Sequence, residues 1–415
     1  MTPFPAVSTA PVTGVGPRAA RALTAEFARH NAATTALVIA ADHSSSVVAA
    51  AVEALLPGDT LTLVAGERST ADLLRDHITG LGSWISDRVR ILDSLAEADP
   101  ADVVILGEPL TGTAEETRAV LESLTKYLNE GAVVSVATPA VPGRTGGAAA
   151  ELFRQSALFG VGSDLVTRNQ PPLRVHKLRF SQADTAVAAT LAPAYRPSSV
   201  PVTRTMHIDS NGVAAAGIAL GLAAVARAAR PKSKLWLLPA VLAAPVAAFF
   251  RDPERDVPAD ARSIVAASDG RVLSVERMTD ERLGEGEFLR IAVFLSVLDV
   301  HVNRVPVAGR VTDYFVIDGG YANAMTAAAE HNVAAYTVLD TDHGTVAVAQ
   351  RTGLIARRIV QRVPVGTLVA RGERMGLIRF GSRTDVYLPA DRAEAVVAVG
   401  DKVVGASSVI ARWLS

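Results

Sequence analysis

The sequence predicts a chain of two unlike halves, a doubly wound α/β domain and a mainly β domain, joined through an apolar hairpin. Three observations carry this reading. From about Pro17 to Phe180 short apolar runs alternate with helical patterns, which implies parallel βαβ units. From Val213 to Phe250 the chain is apolar except for one basic cluster. From Arg251 onwards, short β-rich segments are separated by Gly, Asp and Pro turns.

The 415 residues exceed one typical domain and favour two or three. We expect a disordered lead-in over 1–17, an α/β domain over 18–190 and a linker over 191–211. A membrane-associating hairpin over 212–250 and a β domain over 251–415 complete the chain. The elements of the first part follow in order. A helix is predicted over Arg18–His30, a strand over Thr35–Ala40 and a helix over Ser45–Leu56. Next come a strand over Asp59–Ala65, a helix over Thr70–Thr79 and short strands at Arg88–Leu92 and Asp102–Leu106. A helix over Glu115–Leu128, a strand over Ala132–Ala137 and an antiparallel hairpin within Leu165–Phe180 close the domain.

This order resembles class I S-adenosylmethionine-dependent methyltransferases, whose Rossmann-type sheet ends in such a hairpin. The resemblance rests on architecture. In that class a Gly-rich turn after the first strand lets the cofactor approach the backbone. Here the turn reads Ala40-Ala41-Asp42-His43-Ser44-Ser45-Ser46, without Gly. Asp42 and Ser44 read as helix-capping residues. Glu67, after the second strand, is placed where an acidic residue takes ribose hydroxyls, but it reads better as a solvated loop residue. The domain is therefore expected to keep the fold and to have lost the cofactor.

The two apolar runs, Val213–Ala226 and Leu235–Phe250, each fall short of the ~20 residues of a spanning helix. Arg227, Arg230, Lys232 and Lys234 lie between them. Short membrane helices, an interfacial hairpin and a buried core hairpin remain open, with membrane association favoured. In the last part strands are predicted at Arg271–Val275, Phe288–Phe294, Arg310–Phe315 and Thr345–Gln350.

Composition excludes several chemistries. A net charge of −1 lacks the basic excess of a nucleic-acid-binding surface. Without Cys there are no disulfides, thiolate metal sites or Cys nucleophiles. No cluster has metal-ligand spacing, so no metal is expected. The first 20 residues lack the basic and apolar regions of a cleaved signal peptide.

The chemistry concentrates near the C-terminus. Phe380-Gly381-Ser382-Arg383 follows Arg371-Gly372-Glu373-Arg374-Met375-Gly376. Upstream lies Asp299-Val300-His301-Val302-Asn303-Arg304-Val305-Pro306. With Phe249-Phe250-Arg251-Asp252-Pro253-Glu254-Arg255, Ser268-Asp269-Gly270-Arg271-Val272 and Ala356-Arg357-Arg358-Ile359-Val360, these blocks resemble the phosphatidylserine decarboxylase family, in its short bacterial and archaeal form. A lone Gly-Ser is commonest as a turn; the ordered set makes this one specific.

The resemblance implies autocatalytic serinolysis between Gly381 and Ser382. Ser382 attacks the Gly381 carbonyl, the ester eliminates, and the dehydroalanine hydrolyses to a pyruvoyl group. The large β chain Met1–Gly381 and the small α chain Ser382–Ser415 stay associated. The pyruvoyl cofactor then forms a Schiff base with the amine of phosphatidylserine and takes up the electrons released with CO2, giving phosphatidylethanolamine. His301 is implied as the acid/base group and Asp269 as part of the self-cleavage relay. Longer family members carry a second His where this chain has Arg304. Either His301 serves both steps or another group is the base. Asp299 reads equally as a turn-holding residue. Arg304, Arg357 and Arg358 are candidate phosphate-binding cations; Arg357 and Arg358, being adjacent, point opposite ways on a strand.

The implied place is the cell membrane, at its cytoplasmic face, with a phospholipid as substrate. A bifunctional decarboxylase/methyltransferase and a non-enzymatic membrane scaffold are the alternatives. The lipid backbone and oligomeric state are left open.

Overall fold

A computed structural model of the chain describes residues 14–65, 67–140, 147–194, 199–354, 358–378 and 382–414. The chain divides into two compact units, Met1–Pro197 with Gly366–Leu368, and Ser198–Val365 with Val369–Ser415.

The first unit is built on a seven-stranded sheet. Its strands are β1 (Thr35–Ile39), β2 (Thr60–Val64), β3 (Val89–Leu92), β4 (Ala101–Leu106), β5 (Leu128–Pro139), β6 (Gly160–Val166) and β7 (Leu173–Leu178). The order is β3-β2-β1-β4-β5-β7-β6. β1 to β5 pair in parallel, whereas β7 runs antiparallel to both β5 and β6. This is the doubly wound sheet with a closing hairpin that the methyltransferase resemblance implies.

Alternation along each strand feeds two cores. Ala36, Val38, Leu61 and Leu63 pack on one face, under helices Pro17–Leu23 and Ser46–Glu53. Leu37, Ile39, Val104 and Leu106 pack on the other, against Val120, Leu121 and Leu124 of helix Ala114–Leu124. Both faces being covered explains why these strands read as continuous apolar runs rather than as alternating ones.

Three expectations change here. The single helix over Arg18–His30 is two, Pro17–Leu23 and Ala25–Ala28. At the break the Thr24 hydroxyl donates to the Ala20 carbonyl (3.1 Å), a local bond by which Thr competes with helix continuation. Helix capping after β1 falls to Ser45, whose hydroxyl accepts from the Val47 amide (3.1 Å). Asp42 instead accepts from the Ser44 amide (2.8 Å). A helix at Ala148–Phe159, absent from the sequence reading, leads into β6.

The second unit contains an eight-stranded sheet whose central strands pair antiparallel. Through its centre run, side by side, Gly309–Ile317, Ala334–Thr341, Gly344–Arg351, Ser382–Pro389, Glu287–Leu295 and Gly270–Thr279. A smaller sheet joins Val302–Arg304, Arg374–Ile378 and Ile359–Gln361.

The apolar runs form helices Ser210–Ala229 and Leu237–Phe249. The first is longer than expected because the Asp209 carboxylate caps it, accepting from the Asn211 amide (2.9 Å), and because it continues through Arg227. At 20 residues it is long and apolar enough to cross a membrane. Ile218, Leu220, Leu222 and Val225 are exposed along it, as are Leu238, Val241 and Leu242 on the second helix. The strands flanking the pair, Met206–Ile208 and Arg251–Pro253, are hydrogen-bonded to each other.

Candidate active site

Ser382 opens a central strand, flanked by Glu287–Leu295 on one side and Gly344–Arg351 on the other. Side chains alternate between the two faces of such a strand. On one face Arg383 and Asp385 form an ion pair (2.5 Å), and Arg351 joins Asp385 (2.7 Å) and the Tyr387 hydroxyl (3.2 Å). Glu330 accepts from Arg383 at 2.9 Å. The other face carries Ser382, Thr384, Val386 and Leu388. Val386 and Leu388 belong to the apolar core with Val346, Val348 and Ile291.

Ser382 and Thr384 are thus the polar end of an apolar face. Thr384 lies opposite Gln350 in the strand register, and its hydroxyl bonds the Ser268 hydroxyl (2.6 Å). Gln350 donates from Nε2 to Asn303 Oδ1 (2.6 Å). Ser382 is fully buried, and among the described residues its Oγ has no hydrogen-bond partner. A buried polar atom without a partner is uncommon in folded proteins and is often tied to function.

His301 lies two residues before Asn303, where the chain enters the smaller sheet. Its carbonyl accepts from the Ile378 amide (3.3 Å), four residues before Ser382 in the sequence. The ring is buried and lies 4.2 Å, centroid to centroid, from the ring of Phe249 at the end of the second apolar helix. Nδ1 is 2.9 Å from the Asp299 carbonyl. A carbonyl only accepts, so Nδ1 carries the proton and neutral His301 keeps its lone pair on Nε2. Burial pushes the imidazole down to about 4, against the opposing pull of the Asp299 carbonyl and charge. Asp299 itself holds the turn, its carboxylate accepting from the Ser296 amide (2.7 Å).

This depression has a consequence for stability. His301 and His176, a buried histidine of β7 likewise pushed to about 4, bind protons in the unfolded chain near 6.5 but not in the folded one. Acidification from about 6.5 to about 4 therefore favours unfolding, by at most on the order of 3 kcal/mol for each group. Denaturant midpoints should fall across this window, and the fall should be shallower in His301→Gln.

Asp269 accepts from Arg255 (2.7 and 2.9 Å) and from the Gly405 amide (2.8 Å). No hydrogen bond among the described residues joins it to His301 or Ser382; its neighbour Ser268 is the one that touches the Ser382 strand. Arg304 is buried, and its guanidinium donates to Asp252 (2.7 Å), the Pro253 carbonyl (2.9 Å) and the Gly372 carbonyl (3.3 Å). Burial and the nearby Arg374 push it down to about 10. Its charge is committed to Asp252 rather than presented to a phosphate. Arg358 and Glu67 are exposed. Arg357 and Gly381 lie outside the described residues, as do 1–13 of the lead-in.

Asp252 also pairs with Arg374. It sits on the strand that leaves the apolar hairpin, so it ties the root of that hairpin to the His301 segment. Asp252→Ala would leave buried Arg304 without its paired carboxylate, while Arg374 would keep Glu254 (3.3 Å). We expect a loss of about 3–5 kcal/mol, read as a lower midpoint of denaturant unfolding.

Sequence reasoning missed Gln350, Thr384, Ser268 and Phe249 as neighbours of the site. Phe249 belongs to the Phe249–Arg255 block, but nothing local ties it to His301. Gln350 ends an apolar strand run, and only the pairing with the Ser382 strand gives that polarity a place.

Comparison with known proteins agrees with the blocks. Residues 242–411 match the family model for phosphatidylserine decarboxylase. The chain is 44% identical over 191 residues to the phosphatidylserine decarboxylase proenzyme of Erythrobacter litoralis, covering 43% of this chain and 76% of that one. It is 47% identical over 182 residues to the corresponding proenzyme of Symbiobacterium thermophilum, covering 43% and 84%. Among solved structures it is similar to precorrin-6y C5,15-methyltransferase from Geobacter metallireducens, with 17% identity, 42% and 94% coverage and a TM-score of 0.31. The sheet of the second unit and its matching blocks define an enzyme of the carboxy-lyase class. The chain belongs to the phosphatidylserine decarboxylase family.

Proposed function

We propose that this chain is a pyruvoyl-dependent phosphatidylserine decarboxylase that cleaves itself between Gly381 and Ser382. The observation that carries the reading is the buried Ser382 hydroxyl at the head of a central strand, without a hydrogen-bond partner among the described residues, in a chain of this family. Such a hydroxyl is already stripped of water and of competing hydrogen bonds, which suits a nucleophile directed at the preceding carbonyl. Among the described residues the hydroxyl has no hydrogen bond to lose; its oxygen would pass to Gly381, the Ser382 nitrogen would leave as ammonia, and Cα rather than the side chain would become the carbonyl.

When formed, the pyruvoyl group supplies a sink for the electron pair left as the carboxylate departs as CO2. The remaining work falls to this chain's side chains. His301 is neutral at working pH, and Nε2 is assigned the proton transfers: accepting one during self-cleavage and returning one to carbon after decarboxylation. Phe249 packs beside the ring, and the Nδ1 bond fixes the tautomer. Asp269 is assigned a positioning role, because its carboxylate is taken up by Arg255 and the Gly405 amide while Ser268 reaches Thr384. Arg304 holds the His301 segment to Asp252.

The apolar helices are proposed to engage the lipid bilayer at its cytoplasmic face, where the substrate resides. The basic residues between the helices then meet anionic headgroups. The first unit is proposed to keep the sheet without its cofactor. Ala40, not Gly, occupies the left-handed position at the turn after β1 (φ 59°), and no Gly opens that turn.

Intact-mass analysis of the purified, denatured protein tests the proposal. The expected result is two fragments meeting at Gly381/Ser382, the small one with a carbonyl-reactive, amine-free N-terminus. A single full-length chain, or a small fragment beginning with an ordinary serine amine, would overturn it.

A further inference from the structure

The amide pair Asn303 and Gln350 is not used by the mechanism above. Both residues are fully buried. One hydrogen bond joins them, and among the described residues Asn303 Nδ2 and Gln350 Oε1 have no partner. Turning both amides over changes the labels but not the outcome. A pair of carboxamides sharing one bond of this kind still presents one N–H donor and one oxygen acceptor. Burying both unpaired is unfavourable unless something else meets them.

Their position is specific. Gln350 is directly opposite Thr384, on the face that carries Ser382. Asn303 covers that face from the smaller sheet, with His301 two residues before it on the same segment. The unpaired donor and acceptor thus lie on the side of the sheet where the reacting atoms are placed.

We propose that the Asn303–Gln350 pair receives the α-amino acid end of the substrate headgroup, one amide donating to the carboxylate that is lost and the other accepting from the α-nitrogen N–H. This rests on Ser382 being the reacting residue. An α-amino acid carries an anionic acceptor and an N–H donor on one carbon, and the pair offers the complementary set. Its neutrality matters as much as its pattern. A cation here would stabilise the ground-state carboxylate more than the departing CO2 and so raise the barrier. The nearby arginines are directed elsewhere, Arg304 to Asp252, and Arg351 and Arg383 to Asp385 on the opposite face. A neutral donor orients the carboxylate without that penalty.

The test uses the full-length protein with Asn303→Leu and Gln350→Leu. Two readouts are taken: the cleaved fraction on a denaturing gel, and kcat and KM for phosphatidylserine in mixed micelles. We expect cleavage to proceed and kcat/KM to fall about 10- to 100-fold in each variant. Gln350→Glu should fall further, because it sets an anion beside the substrate carboxylate. Binding gives an independent readout. The parent should bind glycerophosphoserine more tightly than glycerophosphoethanolamine, which lacks the carboxylate, and Asn303→Leu should lose that preference. If the leucine variants do not fold, Asn303→Asp and Gln350→Glu carry the same comparison. Cleaved variants with kcat/KM within about threefold of the parent, or with the headgroup preference intact, overturn the proposal. Variants that fold but no longer cleave also overturn it, since the pair would then serve self-processing. An uncleaved parent would instead refute the reading of Ser382.

Discussion

Ser382→Ala should yield a single uncleaved chain with no decarboxylation above background. The argument is local. Alanine has no hydroxyl to form the ester with Gly381, and no later step can convert it to a pyruvoyl group. The substitution should cost little stability, because the hydroxyl it removes is buried without a hydrogen-bond partner among the described residues and the two strand neighbours remain paired. A folded, inactive, uncleaved variant is therefore the expected combination, read by denaturing gel and by a denaturant midpoint within about 1 kcal/mol of the parent. Ser382→Cys keeps a nucleophile in nearly the same volume and should cleave slowly. Ser382→Thr adds a methyl group in a fully buried position and should cleave more slowly still. A normal small fragment from Ser382→Ala would remove the self-processing assignment altogether.

His301→Ala should lower kcat for decarboxylation by about 10²- to 10⁴-fold, the range over which a positioned acid/base group contributes. Because the folded imidazole titrates at about 4, the acidic limb of the parent's self-cleavage rate should lie near 4 rather than near the ordinary 6.5. Above that limb Nε2 holds a lone pair and can accept the serine proton. Phe249→Leu should move the limb upward, since opening the packing beside the ring readmits water to the imidazolium. Arg304 cannot substitute as the base, being a guanidinium paired with Asp252 and still protonated at neutral pH. Undiminished turnover in His301→Ala would overturn the role given to this histidine. A limb unchanged near 6.5 would remove the part assigned to its burial.

Much of this is legible in the amino-acid sequence. The βαβ alternation of the first unit, its closing hairpin and the β-rich second unit follow from periodicities of about 3.6 and 2, which are local properties of the chain. The blocks around Asp269, His301 and Ser382 could be read because each is contiguous in sequence. The misplaced features have local causes too. The break at Thr24 is accompanied by one side-chain hydrogen bond, and the start of the first apolar helix is set by Asp209 as its cap.

Other features depended on pairing between distant segments. That Ser382 heads a central strand follows from hydrogen bonding to Glu287–Leu295 and Gly344–Arg351, and one step of register would turn its side chain to the opposite face. The same register sets Gln350 opposite Thr384 and sends Arg351 and Arg383 to Asp385. The commitment of Arg304 to Asp252, and the packing of Phe249 against His301, arise where the root of the apolar hairpin meets the smaller sheet. By itself the sequence determined which residue types are available for the chemistry and which segments form helices or strands. The tertiary structure alone decided which of those residues face one another and which charges are already spent, because register, burial and ion pairing join residues far apart along the chain.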